Sequence, residues 1–577
     1  MKSAESLIES HMDAGAALGA AVALLRQGEI VYLSGFGATS VEENGVPVTP
    51  RTLFSYGSIA KNVCAVLIMR LVERQLLNLD APILQYLPNL PVSNADYGAR
   101  ITLRHLLSHT SGLPMGGKYW GPRDLDSLRR FMYEQLPYYT FLSEPGTVHL
   151  YSNTIFCIAG HIAEVVTGQY YDDLVREYVC APLNMNRTTF DPIVAMIYPL
   201  ALPHDVGPNG ELCVMHRMSC NASGHPSSFG YTSVSDLANL AQMYLHRGRF
   251  GDREFLRSSS VAEMQRLQTS RHIEAALHPL ADNYLGYGLG FEIGAYRDTR
   301  AAGHGGMNLS YNCFFKLFPD KQAGVVVLTN YSNDPLLWKI VTSLYDHVLD
   351  LPQPGKVSAD ALRPPSVALD QNQLQRYSGT FLNVETAALA TFTLVDSTLM
   401  VQQSGAEPIP LVPIGDHQFY AERSSGYRLA VAFIHNGQDK VAHVMIGGEP
   451  YHPFQLNAPA QPDVRRRQSF AGIYKDPTNS NQDEMFVVRL RDNALYIAEG
   501  AHEARCRAAG ARSFLSELGL FEFADTERDE AKILVWGKAV RFYPVDENEF
   551  RRRGVIRYRV EPPSIPQCVD CYSQFLH

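Results

Sequence analysis

The chain lacks any long apolar run: none of its 577 residues fall in a stretch of roughly 18 consecutive apolar residues, the length that a membrane-crossing helix needs. It also lacks a positive surplus. The formal net charge of -9 argues against a general nucleic-acid binder and against binding to anionic membranes, so neither partner is expected. The first residues, MKSAESLIESHMDAGAALGAAVALLR, carry an early glutamate and no apolar region after a basic start, so they do not read as a secretory signal. A cytoplasmic location is the default expectation unless a leader was removed. A disulfide framework is missing too, because nine cysteines, an odd number scattered over a long chain, read as reduced core residues. Cys568 and Cys571 form a C-x-x-C in a polar C-terminal tail, without a second pair or nearby histidines to complete a zinc or redox site.

What is present is an ordinary globular composition, 46% hydrophobic and 19% charged. At about 100 to 200 residues per domain, the length predicts two to four domains. Up to about Asp350 helical and strand patterns mix: a helix (SLIESHMDAG), two strand-like runs (AAVALLR and IVYLSGFGA) joined by a QGE turn, and a helix opening near Phe54. Further helices are predicted at 101–108, 155–167 and 235–247, and NCFFKLF, a PDKQ turn, GVVVLTN and a helix from about Pro335 to Leu349 follow. Two strands and a helix at each end suggest a sheet covered by both chain ends, an α+β domain over 1–352.

A proline-rich linker (353–370) precedes a change of texture to short strands and turns. Tyr377-Ser-Gly-Thr-Phe and Asp396-Ser-Thr-Leu return as Phe470-Ala-Gly-Ile-Tyr and Asp492-Asn-Ala-Leu, both about 95 residues on. The expectation is a duplicated antiparallel β-barrel, at 371–458 and 468–562, with a linker at 459–467 and a tail at 563–577. One larger all-β domain is the alternative.

Chemistry concentrates at FSYGSIAKNVCAVLIMRLVE, from Phe54. Ala60, Val63, Cys64, Leu67, Ile68, Leu71 and Val72 recur at helical spacing. At about 100° per residue, Ser58 and Lys61 lie roughly 60° apart on the border of that stripe, so their side chains can touch at a half-buried place. Free N–H groups and the dipole at a helix start favour negative charge, and desolvation there lowers a lysine's pKa. Such a lysine could activate the serine. The plainer reading makes Ser58 an N-cap and Lys61 a snorkelling surface residue, and S-x-x-K alone does not decide between them.

Partners elsewhere favour catalysis. Tyr151-Ser-Asn153 stands where the apolar helix IFCIAGHIAEVV begins, offering a proton carrier and a polar clamp. Its second copy, Tyr331-Ser-Asn333, is sufficiently explained as an end-of-strand turn. Gly303-His304-Gly305-Gly306 brackets a histidine with glycines just before a strand, where bare backbone lets a ligand lie along a strand edge. His246-Arg-Gly248 and His435-Asn-Gly437 share the H-x-G spacing but read as a helix end and a hairpin turn. His105 and His109 are four apart, yet no glutamate completes H-E-x-x-H, so no metal and no cofactor are expected.

The ordered trio S-x-x-K, Y-x-N and H-x-G resembles the serine β-lactamase and penicillin-binding-protein superfamily, whose third motif is more often K-T-G. ITLRHLLSHTSGLP, PGTVHLYSNTIFCIAGHIAEVVTG, APLNMNRTTF and TSVSDLANLAQMYL resemble its class C-related branch (peptidase family S12) over about 1–350. With histidine in the third motif and two barrels appended, the whole chain looks most like the D-aminopeptidase group. The resemblance implies Ser58 as the acyl-accepting nucleophile, Lys61 as its base and Tyr151 as proton relay. It further implies Asn153 as a clamp on the substrate amide, His304 on the opposite wall with Gly305 and Gly306, and an oxyanion hole from the N–H groups of Ser58 and Met307. A lysine there would be a permanent cation, whereas His304 is expected to be charged only part of the time near neutral pH, which weakens carboxylate recognition and favours substrates with a free N-terminus or an uncharged acyl group. In that group a loop of the last barrel reaches the pocket; KDPTNSNQDEM (475–485) is the candidate, with Asp483 or Glu484 to pair with a substrate ammonium. The expected partner is a small peptide, amide or ester, with a homodimer left open. An esterase, a peptide cyclase or transacylase, a weak β-lactamase and a non-catalytic penicillin- or peptide-binding sensor stay open as alternatives.

Overall fold

In the computed structural model of the chain, the described residues are 19–115, 126–139, 141–207, 210–216, 218, 221–270, 282–331, 337–352 and 366–383, followed by strand and turn residues as far as 544. The expected helix at 6–15, Asp483, Glu484 and the C-x-x-C at 568–571 lie outside them.

Eight antiparallel strands build the first sheet. They are β1 (Gly19–Arg26), β2 (Glu29–Gly37), β3 (Thr269–Ser270), β4 (Asp282–Tyr287), β5 (Glu292–Tyr296), β6 (Thr299–Asn308), β7 (Tyr311–Phe318) and β8 (Ala323–Thr329), in the order β2-β1-β8-β7-β6-β5-β4-β3. The first and last long strands therefore pair, Ala20 opposite Thr329 and Leu25 opposite Gly324. β1 and β8 are apolar at almost every position because both faces of the sheet are covered. The strand period of two divides their side chains between two cores. Ala21, Ala23, Leu25, Val326 and Leu328 meet the helices α1 (Ala60–Glu73), α3 (Asn153–Thr167) and α4 (Val234–Leu245). Val22, Leu24, Val325 and Val327 meet Leu337, Ile340, Val341 and Leu344 of α5 (Leu337–Val348) on the other face.

Between α1 and α3, the short α2 (Leu103–Leu107) closes its first turn with a capping box in which Thr102 accepts from the His105 N–H and His105 Nδ1 accepts from the Thr102 N–H. His105 is thereby engaged as a cap. His246 closes α4 with Gly248 beyond it at φ 98°, as its spacing implies. Cys64, Cys157, Cys180 and Cys313 are buried free thiols.

Eight strands between Gly379 and Pro453 close into an antiparallel barrel. Phe419, Ala421, Leu429, Val431, Phe433, Val444 and Ile446 fill its interior. The alternating residues Tyr420, Ala430, Ala432 and Met445 point outward, where water would meet them, and are buried against Val148 and Leu150 instead. The barrel wall thus packs on the segment that leads into Tyr151. The described strands of the second repeat, from Gly472 to Pro544, form a nine-stranded antiparallel sheet whose first and last strands in the pairing order, His502–Arg505 and Arg507–Ala508, follow each other in the chain. Among the described residues no helix is long and apolar enough to cross a membrane.

Candidate active site

Ser58 lies in a single 3-10 turn, Gly57–Ile59, directly before α1, and Lys61 is the second residue of that helix. Neither the turn nor the helix has a side-chain cap, so Ser58 is not the N-cap that the plainer reading makes of it. The Lys61 ammonium contacts Ser58 Oγ at 3.0 Å and donates to the Ser227 carbonyl at 2.9 Å. Lys61 is completely buried, which rules out snorkelling. Burial lowers its pKa to about 7, against the smaller opposing pull of Cys157 and Glu292.

Tyr151 stands over this pair. Lys61 Nζ lies 4.7 Å from the centre of its ring, and its hydroxyl is hydrogen-bonded with Ser58. Burial pushes the phenol well above its ordinary pKa, so it is a protonated donor at neutral pH. The loop that carries it is clamped by His109, a left-handed residue at φ 59°. The His109 carbonyl accepts from the Leu150 N–H at 2.7 Å, its Nδ1 accepts from the Ser152 N–H at 2.9 Å, and its ring lies tilted against that of Tyr151 with centres 4.3 Å apart. Burial holds His109 neutral, consistent with an accepting Nδ1. With both His105 and His109 serving as hydrogen-bond acceptors for backbone N–H groups, their four-residue spacing has a structural explanation. Asn153 opens α3, two residues after Tyr151, and its Oδ1 is buried without a hydrogen-bond partner.

β6 supplies the opposite wall. β5 pairs with it only as far as Gly303, opposite Glu292, so residues 304–308 leave one strand edge open. The Gly305 N–H meets Glu292 Oε2 at 3.3 Å, which shows that N–H groups of this parity, Gly305 and Met307, face the open edge. The turn carrying Ser58 packs there. A Cβ on Gly57, itself at φ 51°, would sit 2.5 Å from Met307 N, and one on Gly306 would sit 2.1 Å from the Tyr56 carbonyl oxygen. Only glycines allow this approach. Asn308 Nδ2 donates to Ser55 Oγ at 2.9 Å and ties the same two segments together. The N–H groups of Ser58 and Met307 are therefore brought to one place.

His304 departs from the sequence expectation of a partly charged ligand group. It is 2% exposed, its Nδ1 lies 2.5 Å from the Gly305 carbonyl, and its Nε2 lies 2.7 Å from the Tyr287 hydroxyl. Nδ1 faces only acceptors, so it carries the proton, and Nε2 accepts from Tyr287, whose phenol burial keeps protonated. Burial lowers the His304 pKa despite nearby Glu292. The ring is a neutral part of the wall, with its centre 6.3 Å from that of Tyr151.

Sequence reasoning missed Ser227, Tyr287, Glu292 and the clamping role of His109. Gly286-Tyr-Gly-Leu-Gly290, a glycine alternation of the kind that marks close backbone approach, could have drawn attention to Tyr287 and Glu292. Ser227 acts through its carbonyl, which no side-chain pattern reveals.

A half-buried serine on a buried lysine at the head of a central helix, a tyrosine above them and an antiparallel strand edge opposite define a serine hydrolase of the β-lactamase and transpeptidase fold class. The family model described as Beta-lactamase matches residues 4–339, and the chain belongs to that family. Penicillin-binding protein 4 of Amycolatopsis lactamdurans is 28% identical over 314 residues, 54% of this chain and 80% of that protein. Among solved structures, SurE, also solved with D-Leu, is similar with a TM-score of 0.61 at 22% identity, covering 78% of this chain and 99% of SurE. The octameric penicillin-binding protein homologue of Pyrococcus abyssi is similar with a TM-score of 0.52 at 24% identity, over 78% of this chain and 98% of its own.

Proposed function

We propose that this chain is an acyl-enzyme hydrolase that releases an N-terminal D-residue from small peptides, amides or esters. The observation that carries the reading is Lys61, buried, with a pKa near 7 and 3.0 Å from Ser58 Oγ. As a free amine it takes the hydroxyl proton while Oγ bonds to the substrate carbonyl carbon. The Ser227 carbonyl holds one Nζ–H and so turns the amine's lone pair toward Ser58. The carbonyl oxygen becomes an oxyanion between the N–H groups of Ser58 and Met307. Tyr151 gives its proton to the departing amine or alkoxide as the carbon–leaving-group bond breaks, and regains one from Lys61. Water then deacylates the enzyme: the free amine of Lys61 takes its proton, directly or through Tyr151 as that phenol passes its own proton on, the water oxygen bonds to the acyl carbon, and Ser58 Oγ leaves and takes the proton back from Lys61.

Asn153 Oδ1, an unpaired acceptor, suits a substrate amide N–H. The neutral, internally engaged His304 offers no fixed cation for a carboxylate, which supports substrates that lack one at that place. The D preference rests on the resemblance of the whole chain to the D-aminopeptidase group. Rates on D- and L-alanine p-nitroanilide, with a simple ester and a chromogenic β-lactam beside them, test it. Turnover of the D-anilide ahead of the others is expected; activity confined to the L-anilide would sink the stereochemical claim.

A further inference from the structure

The open edge of β6 carries a carboxylate that the acyl-transfer chemistry does not use. Glu292 is the first residue of β5, with its side chain 29% exposed. Oε2 lies 3.3 Å from the Gly305 N–H and Oε1 lies 3.8 Å from His304 Nδ1. Because His304 is neutral, Glu292 has no cation paired with it among the described residues. Its field reaches Lys61, Tyr151, Tyr287 and His304 alike, so it stands beside the reacting groups.

Position along the strand determines what this carboxylate can meet. Two residues of extended strand separate the Gly305 and Met307 N–H groups by about 7 Å. A substrate carbonyl oxygen held at Met307 and a cation held by the carboxylate at Gly305 are bridged by one amino acid, given about 2.8 Å for a charge-assisted hydrogen bond and about 3.5 Å of reach per residue. The same contact occupies the Gly305 N–H. A longer acyl chain that sought to pair with β6 as an added strand would find that donor already capped.

We infer that Glu292 is the recognition site for the α-ammonium of the substrate's first residue and that, by capping Gly305, it limits the acyl portion to a single amino acid with a free amine. This rests on the proposed aminopeptidase reading and names the residue that makes it exo-acting. The carboxylate expected at Asp483 or Glu484 lies outside the described residues, and Glu292 supplies one from the catalytic sheet itself.

The test compares wild type, Glu292→Gln and Glu292→Asp on three p-nitroanilides at pH 7: D-alanyl, propionyl, which lacks the amine, and N-acetyl-D-alanyl, which lengthens the acyl part. Thermal melts establish that each variant is folded. In Glu292→Gln, kcat/KM for the D-alanyl anilide relative to the propionyl anilide is expected to fall about 10- to 100-fold, mainly through KM, with partial recovery in Glu292→Asp. The N-acetyl substrate is expected to gain on the D-alanyl one in the glutamine variant. An unchanged ratio, or the same loss on all three substrates, overturns the role of Glu292 while leaving the aminopeptidase reading intact. A wild type that turns over no D-alanyl anilide yet cleaves p-nitrophenyl propionate overturns the aminopeptidase reading itself, and this inference falls with it.

Discussion

Acylation of Ser58 is expected to follow one ionisation near pH 7, that of Lys61, whose pKa burial lowers from 10.5 to about 7. At pH 7 roughly half of the lysine is then the free amine, against about three parts in ten thousand for an ordinary lysine, a gain on the order of a thousandfold in competent enzyme. Below that point the rate should fall about tenfold per pH unit, to about 1% of its plateau at pH 5. Single-turnover release of p-nitrophenol from an ester, corrected for spontaneous hydrolysis from pH 5 to 9, measures it. A flat profile between pH 5 and 8, or a rise that continues to pH 10, would refute the reasoning. Stability carries the same signature. Between about pH 7 and 10.5 the unfolded chain binds the proton that the folded one does not, so stability rises with pH through that window, and the burial penalty is fully present below it. The drop from 10.5 to about 7 corresponds to about 5 kcal/mol. Lys61→Met removes this penalty and leaves the Ser227 carbonyl unpaired, a loss of about 1–3 kcal/mol. The variant should be inactive yet melt higher than wild type at pH 6; a lower melting temperature would show that burial of Lys61 is not a strain.

Three further outcomes are expected. Tyr287→Phe leaves His304 Nε2 buried without its partner, which should lower stability by about 1–3 kcal/mol; an unchanged melting temperature would contradict the Tyr287–His304 hydrogen bond. Gly57→Ala places a methyl 2.5 Å from Met307 N at a positive φ, and parting the two N–H groups should lower kcat by about 100-fold or more with the chain still folded; wild-type kcat would remove Met307 from the oxyanion site. Met445→Asp sets a carboxylate against Val148 and Leu150, and amide exchange over 142–150 should quicken as kcat falls; exchange at the wild-type rate would show that the barrel wall does not support the Tyr151 segment.

The apolar periodicity after Phe54 was sufficient to place α1, and the short apolar runs of β1 and β8 marked both as strands, while their pairing with each other came only with the fold. Ser58 and Lys61 were legible because a three-residue spacing on one helical turn is local geometry. The second repeat was legible as strands because its alternation and turns are local, while the partner of each strand is set by pairing over long stretches of chain. His304 was legible as a site residue and misread as a part-time cation. Its state is decided by Tyr287, two strands away in the sheet, and by burial, neither of which a glycine-flanked histidine announces.

By itself, then, the order of residues determined which groups could do acyl transfer and in which part of the chain they lie, because motif spacing and periodicity are properties of neighbouring residues. The tertiary structure alone decided their protonation and direction. Lys61 is a base only because residues far along the chain exclude water from it, and the carbonyl that orients it, at Ser227, lies 166 positions away. Glu292 meets Gly305 across an unpaired strand edge for the same reason: desolvation and contact are set by what folding brings together.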